Sequence, residues 1–229
     1  MPKTLTDNVL AQINASNDDD EMQRLLNFFD DIDPSEIPIE ELTEFVLTTT
    51  EDGHLWLATS EFTETFEAAF SLLCEDIERI PIDDVYAALV HAIDWADETE
   101  DEDESLNLNI RWATALAVMV RTDDAPIDED IITRMKACQR WQCRASAIDI
   151  LAEMDRFSEI VPFLTDKDED VATAAIFALP SNQETIDSLN HLLTTKNVSD
   201  RVVETARDGI EGIRRILTHQ REKASILQH

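Results

Sequence analysis

Apolar residues recur at helical spacing along most of the chain. Val85, Leu89, Ala92 and Ala96 fall at i, i+4, i+7 and i+11, and Tyr86, Val90 and Ile93 widen the stripe. That is the period of a helix with one buried face. No convincing alternating run of β-branched residues is bounded by turn signals, so strands are not expected. Start signals are frequent. Asp33-Pro34 and Ala125-Pro126 put proline near a first helical turn, and Asp83-Asp84 put acids at a positive helix end. Leu25, Leu26, Phe28 and Phe29 mark a short helix after Asp18-Asp19-Asp20. Pro34 to Leu47 reads as another, and Phe62, Phe66, Ala69 and Phe70 as a third. The pattern predicts an all-α chain of about a dozen helices of roughly 10 to 18 residues with short connections.

The second half carries an internal repeat. Four nine-residue frames begin at Ile110, Cys143, Val171 and Val202, with starts 33, 28 and 31 residues apart. The fifth residue of each is small (Thr114, Ala147, Ala175, Ala206), and the ninth is aliphatic (Val118, Leu151, Leu179, Ile210). Small residues let paired helices approach closely, while aliphatics fill the space between layers. A period of this length signals stacked helical hairpins. The third frame is clipped at Leu179-Pro180, because proline stops a helix.

These frames resemble HEAT-like repeats of the armadillo-type superhelix. The resemblance rests on Asp168-Glu169-Asp170-Val171 leading into an Ala-rich helix, preceded by Ile160-Val161-Pro162-Phe163-Leu164. Asp200-Arg201-Val202 repeats the turn after Leu189, Leu192 and Leu193. The match covers residues 105–217. The family's usual arginine after the aliphatic stands at Arg111 and Arg144 but is replaced at Ala172 and Val203. The resemblance implies an α-α superhelix, a right-handed array of about six helical hairpins whose second helices line a concave face. Residues 1–105 then form an acidic helical portion, of divergent repeats or a cap, and residues 106–229 the HEAT-like region. The charged run Asp97 to Glu104 is expected to be a solvated loop between them.

Charge sharpens this picture. The 229 residues hold 18 Lys and Arg against 50 Asp and Glu, a net of −32. Residues 1–110 contain only Lys3, Arg24 and Arg79 against 30 acids, whereas residues 111–229 contain 15 basic and 20 acidic groups. Such charge disfavours general nucleic-acid binding, which depends on Lys and Arg. Three explanations of the acidity stand side by side: solvation, including adaptation to a salty host; an acidic surface that docks a basic protein; and carboxylates that mimic nucleic-acid phosphates. The candidate acidic surface contains Glu40, Glu41, Glu44, Glu61, Glu64 and Glu67. A basic, aromatic counterpart comprises Arg134, Lys136, Arg140, Trp141 and Arg144. Lys136, Arg140 and Arg144 are spaced by four and would share a face on one helix. They would pair with acids of the first half, meet an acidic ligand, or form an idle solvated face. Arg111, Trp112, Arg140, Trp141 and Arg144 are the candidate contacts of the concave face. Arg214, Arg215, Arg221 and Lys223 suit a helix's negative end.

Chemistry of other kinds finds little support. Three glycines (Gly53, Gly209, Gly212) are too few for a glycine-rich phosphate loop or a many-turned β-sandwich. Cys74, Cys138 and Cys143 form no CxxC pair and read as buried, reduced thiols of a cytoplasmic protein. No stretch is long and apolar enough to span a membrane. None of the five histidines sits in a metal or nucleophile motif; His91 has Asp94 one turn away as a polar partner. No cofactor or metal site is expected. The expected function is a non-catalytic protein-protein interaction scaffold or inhibitor-like binding protein, with its acidic N-terminal half as the docking surface for a basic partner. Two alternatives remain: a HEAT-like enzyme, of the alkylated-DNA glycosylase or bilin-lyase type, and an acidic immunity or nucleic-acid-mimic protein.

Overall fold

The stripe around Val85 does form a helix. In the computed structural model, which describes residues 42–43, 46–49, 55–57, 70–71, 80–99 and 104–226, α1 spans Ile82–Glu98 and buries Val85, Ala88, Leu89, Ala92, Ile93 and Ala96. Asp83 and Asp84 occupy its first turn, where the helix dipole favours acids. Of the charged run after it, Asp97 and Glu98 complete α1, and Glu104 already begins α2 (Glu104–Val120). The link between the two helices is therefore shorter than the run suggests. Helix α3 (Glu129–Ala137) follows, starting three residues beyond Pro126.

Sequence patterning did not predict a short antiparallel hairpin, β1 (Leu47–Thr49) and β2 (Leu55–Leu57), paired as Leu47↔Leu57, Thr48↔Trp56 and Thr49↔Leu55. Leu47 thus begins a strand, while Leu42, Thr43 and Val46 before it are helical. The rest of the helix expected from Pro34, together with Leu25 to Phe29, Phe62, Phe66, Ala69 and Cys74, lies outside the described residues. Both strands pack against α1, and β2 also packs against α2. Val46 and Leu47 are buried.

Five more helices complete the described residues: α4 (Trp141–Glu153), the single turn α5 (Phe157–Ile160) running into a 3₁₀ segment (Val161–Thr165), α6 (Glu169–Ala178), α7 (Gln183–Leu192) and α8 (Asp200–Ile226). The fold class is all-α, with eight helices and one hairpin among the described residues. The 27 residues of α8 exceed the expected length, and the four of α5 fall short of it. Arg214 and Arg215 consequently sit near the middle of α8, and of the tail cations only Lys223 reaches its last turn.

The chain divides into two compact units, residues 1–134 and 135–229, with the boundary inside α3. In the second unit α6 packs against α4 on one side and α8 on the other. The 3₁₀ segment packs against α6 and α7, and α7 against α8. Turn chemistry sets these joints. Asp168 caps α6 by accepting from the Asp170 N–H at 3.0 Å, and Asn182 caps α7 by accepting from the Thr185 N–H at 2.8 Å. The acidic turn read in the sequence is thus a helix cap. Helix α4 ends with Asp155 at φ 55°, and the Arg156 N–H donates back to the Leu151 carbonyl at 2.8 Å. Such a left-handed exit reverses the chain. Helix α6 stops at Ala178 because Leu179, preceding Pro180, is extended (φ −74°, ψ 144°).

The four frames share a burial pattern at two positions. The first residues of the frames (Ile110, Cys143, Val171, Val202) and the fifth (Thr114, Ala147, Ala175, Ala206) are all buried, none exceeding 3% exposure. Of the ninth residues Leu151, Leu179 and Ile210 are buried, and Val118 is half-buried.

Candidate functional site

Arg144 lies in the second turn of α4, and its surroundings explain its role. Only 5% of the residue is exposed. Its Nε and Nη2 donate to Asp166 Oδ2 and Oδ1 at 2.9 and 2.8 Å, a bidentate pair. Nη1 donates to the carbonyls of Cys138 and Gln139 at 2.9 and 2.7 Å. Four of the five guanidinium N–H groups are thereby used. Arg144 ties the connection before α4 to the turn before α6, so it drops out of the contact face proposed from the sequence.

Asp166 is matched to that partner. Burial alone would raise its carboxyl pKa. The Arg144 hydrogen bonds, the Asp168 backbone N–H and the charges of Arg144 and Lys167 outweigh burial and hold it below the usual range. The same environment raises the Arg144 pKa further above its ordinary value, chiefly through the hydrogen bond to Asp166.

The expected shared face of Lys136, Arg140 and Arg144 is not on one helix. Helix α3 ends at Ala137, and Arg140 is the residue immediately before α4. Each cation instead finds its own surroundings. Arg134 pairs with Asp94 and, at 3.6 Å, with Asp97 on α1. Lys136 Nζ donates to Glu159 Oε2 at 2.9 Å, and Arg156 holds Glu159 Oε1 at 2.7 Å. With Arg156 and Lys136 both donating to it, the Glu159 carboxyl drops from 4.5 to about 2. Arg140 and Trp141 are half-buried.

In the first unit, Arg111 is exposed, with its guanidinium carbon 6.0 Å from the Trp112 ring centroid. Trp112 is half-buried and packs against buried Phe70, ring centroids 4.8 Å apart and planes at 58°. Tilted aromatic packing of this kind is core-forming. Glu40, Glu41, Glu44, Glu61, Glu64 and Glu67 lie outside the described residues. Cys138 and Cys143 are buried free thiols.

Two concavities lie in the second unit. One, of about 200 Å³, lies between the turns before α6 and α8 and is lined by Asp166, Lys167, Glu169, Lys196 and Asn197 among others. Above it Arg201 reaches from the start of α8 to Asp170 (2.7 Å) and Glu169 (3.3 Å). The other, a shallow groove of about 540 Å³ along α7 and the 3₁₀ segment, includes Val161, Asp187, Ser188 and His191. Ser188 and His191 are one turn apart, but no hydrogen bond joins them, and an activated serine requires one. Among the described residues no group of three His, Cys, Asp or Glu is placed to hold a metal.

The feature that the sequence reading did not single out is Phe177. It is 76% exposed on α6, the most exposed large apolar side chain among the described residues. It holds the seventh position of its frame, where the second and fourth frames carry exposed Asp149 and Asp208. Aspartate at two equivalent positions was the available signal that this position faces solvent. The first frame has Leu116 there, fully buried, on a helix that packs against α1 and β2.

No known family model matches the sequence, and no curated protein or solved structure matches the chain. Fold and site together define an all-α protein. No helix among the described residues is long and apolar enough to cross a membrane.

Proposed function

We propose that the protein is a non-catalytic binding protein whose second unit is a HEAT-like stack in an α-α superhelix, and whose work is to dock another protein of basic character. One observation carries this reading. Helices α4, α6 and α8 neighbour one another in frame order, with first and fifth positions buried throughout, so their outer faces form a repeated, solvent-facing surface. Stacks of this kind present extended binding faces. The chain's net charge of −32 selects a cationic partner and would speed its arrival electrostatically.

Affinity capture from the native cell, followed by mass spectrometry, tests the reading. A stoichiometric basic protein should be retained at about 0.05 M salt and released near 1 M, where the screening length falls to ~3 Å. Recovery of no basic partner, together with release of bases from alkylated DNA by the purified chain, would replace it with the enzymatic reading.

A further inference from the structure

We infer that the outer face of α6, centred on Phe177, is a docking site for a basic protein segment, which seats a cationic side chain over the Phe177 ring. This rests on the basic-partner reading above and gives it a location in the second unit. Three observations converge on that occupant. Phe177 presents 76% of its surface to solvent, and an aromatic face attracts cations through its quadrupole. It sits in the last turn of α6, a helix with no basic side chain in that turn. The negative end of the helix dipole is thus left for a cation from elsewhere. The frame-equivalent residues on the helices packed at either side are Asp149 on α4 and Asp208 on α8, both exposed acids. An apolar centre on a helix whose packed neighbour α8 carries the exposed Asp208 fits an arginine-bearing segment: the guanidinium stacks on the ring, and a flanking cation meets the aspartate.

Other candidates carry less. The cleft between the turns before α6 and α8 mixes lysines with acids already paired across it. The groove along α7 has no charge pattern that selects an occupant.

The test uses the full chain and a fluorescein-labelled decapeptide of alternating arginine and glycine, titrated at low ionic strength, with backbone amide shifts recorded by NMR. Phe177 is exposed, so Phe177→Leu and Phe177→Tyr should both fold, which thermal melting checks. The peptide should shift amides of Thr173 to Leu179. Phe177→Leu, which keeps apolar area but removes the ring, should weaken binding about two- to fivefold, while Phe177→Tyr binds like the wild type. Asp208→Asn should weaken it further and lower the salt dependence. Equal binding by Phe177→Leu, with no shifts on α6, would remove this site and leave the basic-partner reading intact. Absence of peptide binding to the wild type at low salt would sink that reading and this site together. Concentration-dependent dimerisation of the wild type, abolished in Phe177→Leu, would assign the face to a second copy of the chain and overturn the proposal.

Discussion

The two units of this chain handle charge in opposite ways. Residues 1–134 hold 35 acids and six cations, a net of −29, whereas residues 135–229 hold 15 acids and 12 cations, a net of −3. In the second unit four of the twelve cations pair at joints between helices: Arg144 on Asp166, Arg201 on Asp170 and Glu169, and Lys136 with Arg156 on Glu159. Charge there fastens one frame to the next. In the first unit Arg134 joins α3 to α1 through Asp94 and Asp97. Even complete pairing of all six cations would leave 29 carboxylates unmatched, so counterions or a partner must supply the balance. Near-neutral charge thus marks the unit that holds three of the four frames, and excess charge marks the one that holds the first.

The sharpest way to break this contrast is to remove a joint. Arg144→Met leaves Asp166, 12% exposed, buried beside carbonyls that have lost their donor. It should cost about 3–5 kcal/mol, the usual consequence of stranding one partner of a buried pair, read as a lower urea midpoint. Asp166→Asn in the same background should cost much less than it does alone, because the pair acts as one unit.

A smaller effect should separate the units by salt. Raising ionic strength from about 0.05 to 0.5 M shortens the screening length. Amide exchange in α1 and α2 should then slow by about tenfold, ~1.4 kcal/mol, with a lesser change in α4 and α6. Equal responses would dissolve the comparison.

Gly212 offers a gain in the second unit. Nothing lies within 4 Å of a Cβ built there, on the long helix α8. Gly212→Ala should therefore stabilise α8 by about 0.5–1 kcal/mol through helix propensity alone. At Gly209 a Cβ would already touch Ile176 and Leu189 at 3.4 Å, so the same change there should gain less.

The smallest effect concerns pH. The Glu159 carboxyl is depressed from 4.5 to about 2 by Arg156 and Lys136. Its contribution is therefore complete above pH ~4.5 and fades as pH falls toward 2. Because its side chain is 34% exposed, solvent screens most of that energy. Carboxyl NMR should place its midpoint near 2, and Lys136→Met should move it upward.

Helix content and the buried frame positions were legible because both are written as spacing. The stripe from Val85 to Ala96 buried as its period required, and the first and fifth frame positions lost their solvent in all four helices. The stop at Leu179-Pro180 was equally local, since proline restricts its predecessor directly. The hairpin was missed because each strand is three residues long, too short for alternation to register. Asp52-Gly53 between the two apolar runs was the available hint. Lys136, Arg140 and Arg144 looked like one face because a spacing of four ignores the break between Ala137, where α3 ends, and Trp141, where α4 begins.

By itself the sequence determined which faces of its helices are apolar, where proline and aspartate start or stop them, and that charge is concentrated in the first half. These follow from side-chain chemistry within a few residues. Only the tertiary structure decided that Arg144 is a buried joint, that Trp112 packs on Phe70, and that Phe177 stands in solvent. Partner choice among charges and rings depends on which turns and helices lie alongside, and residues distant in sequence set that neighbourhood.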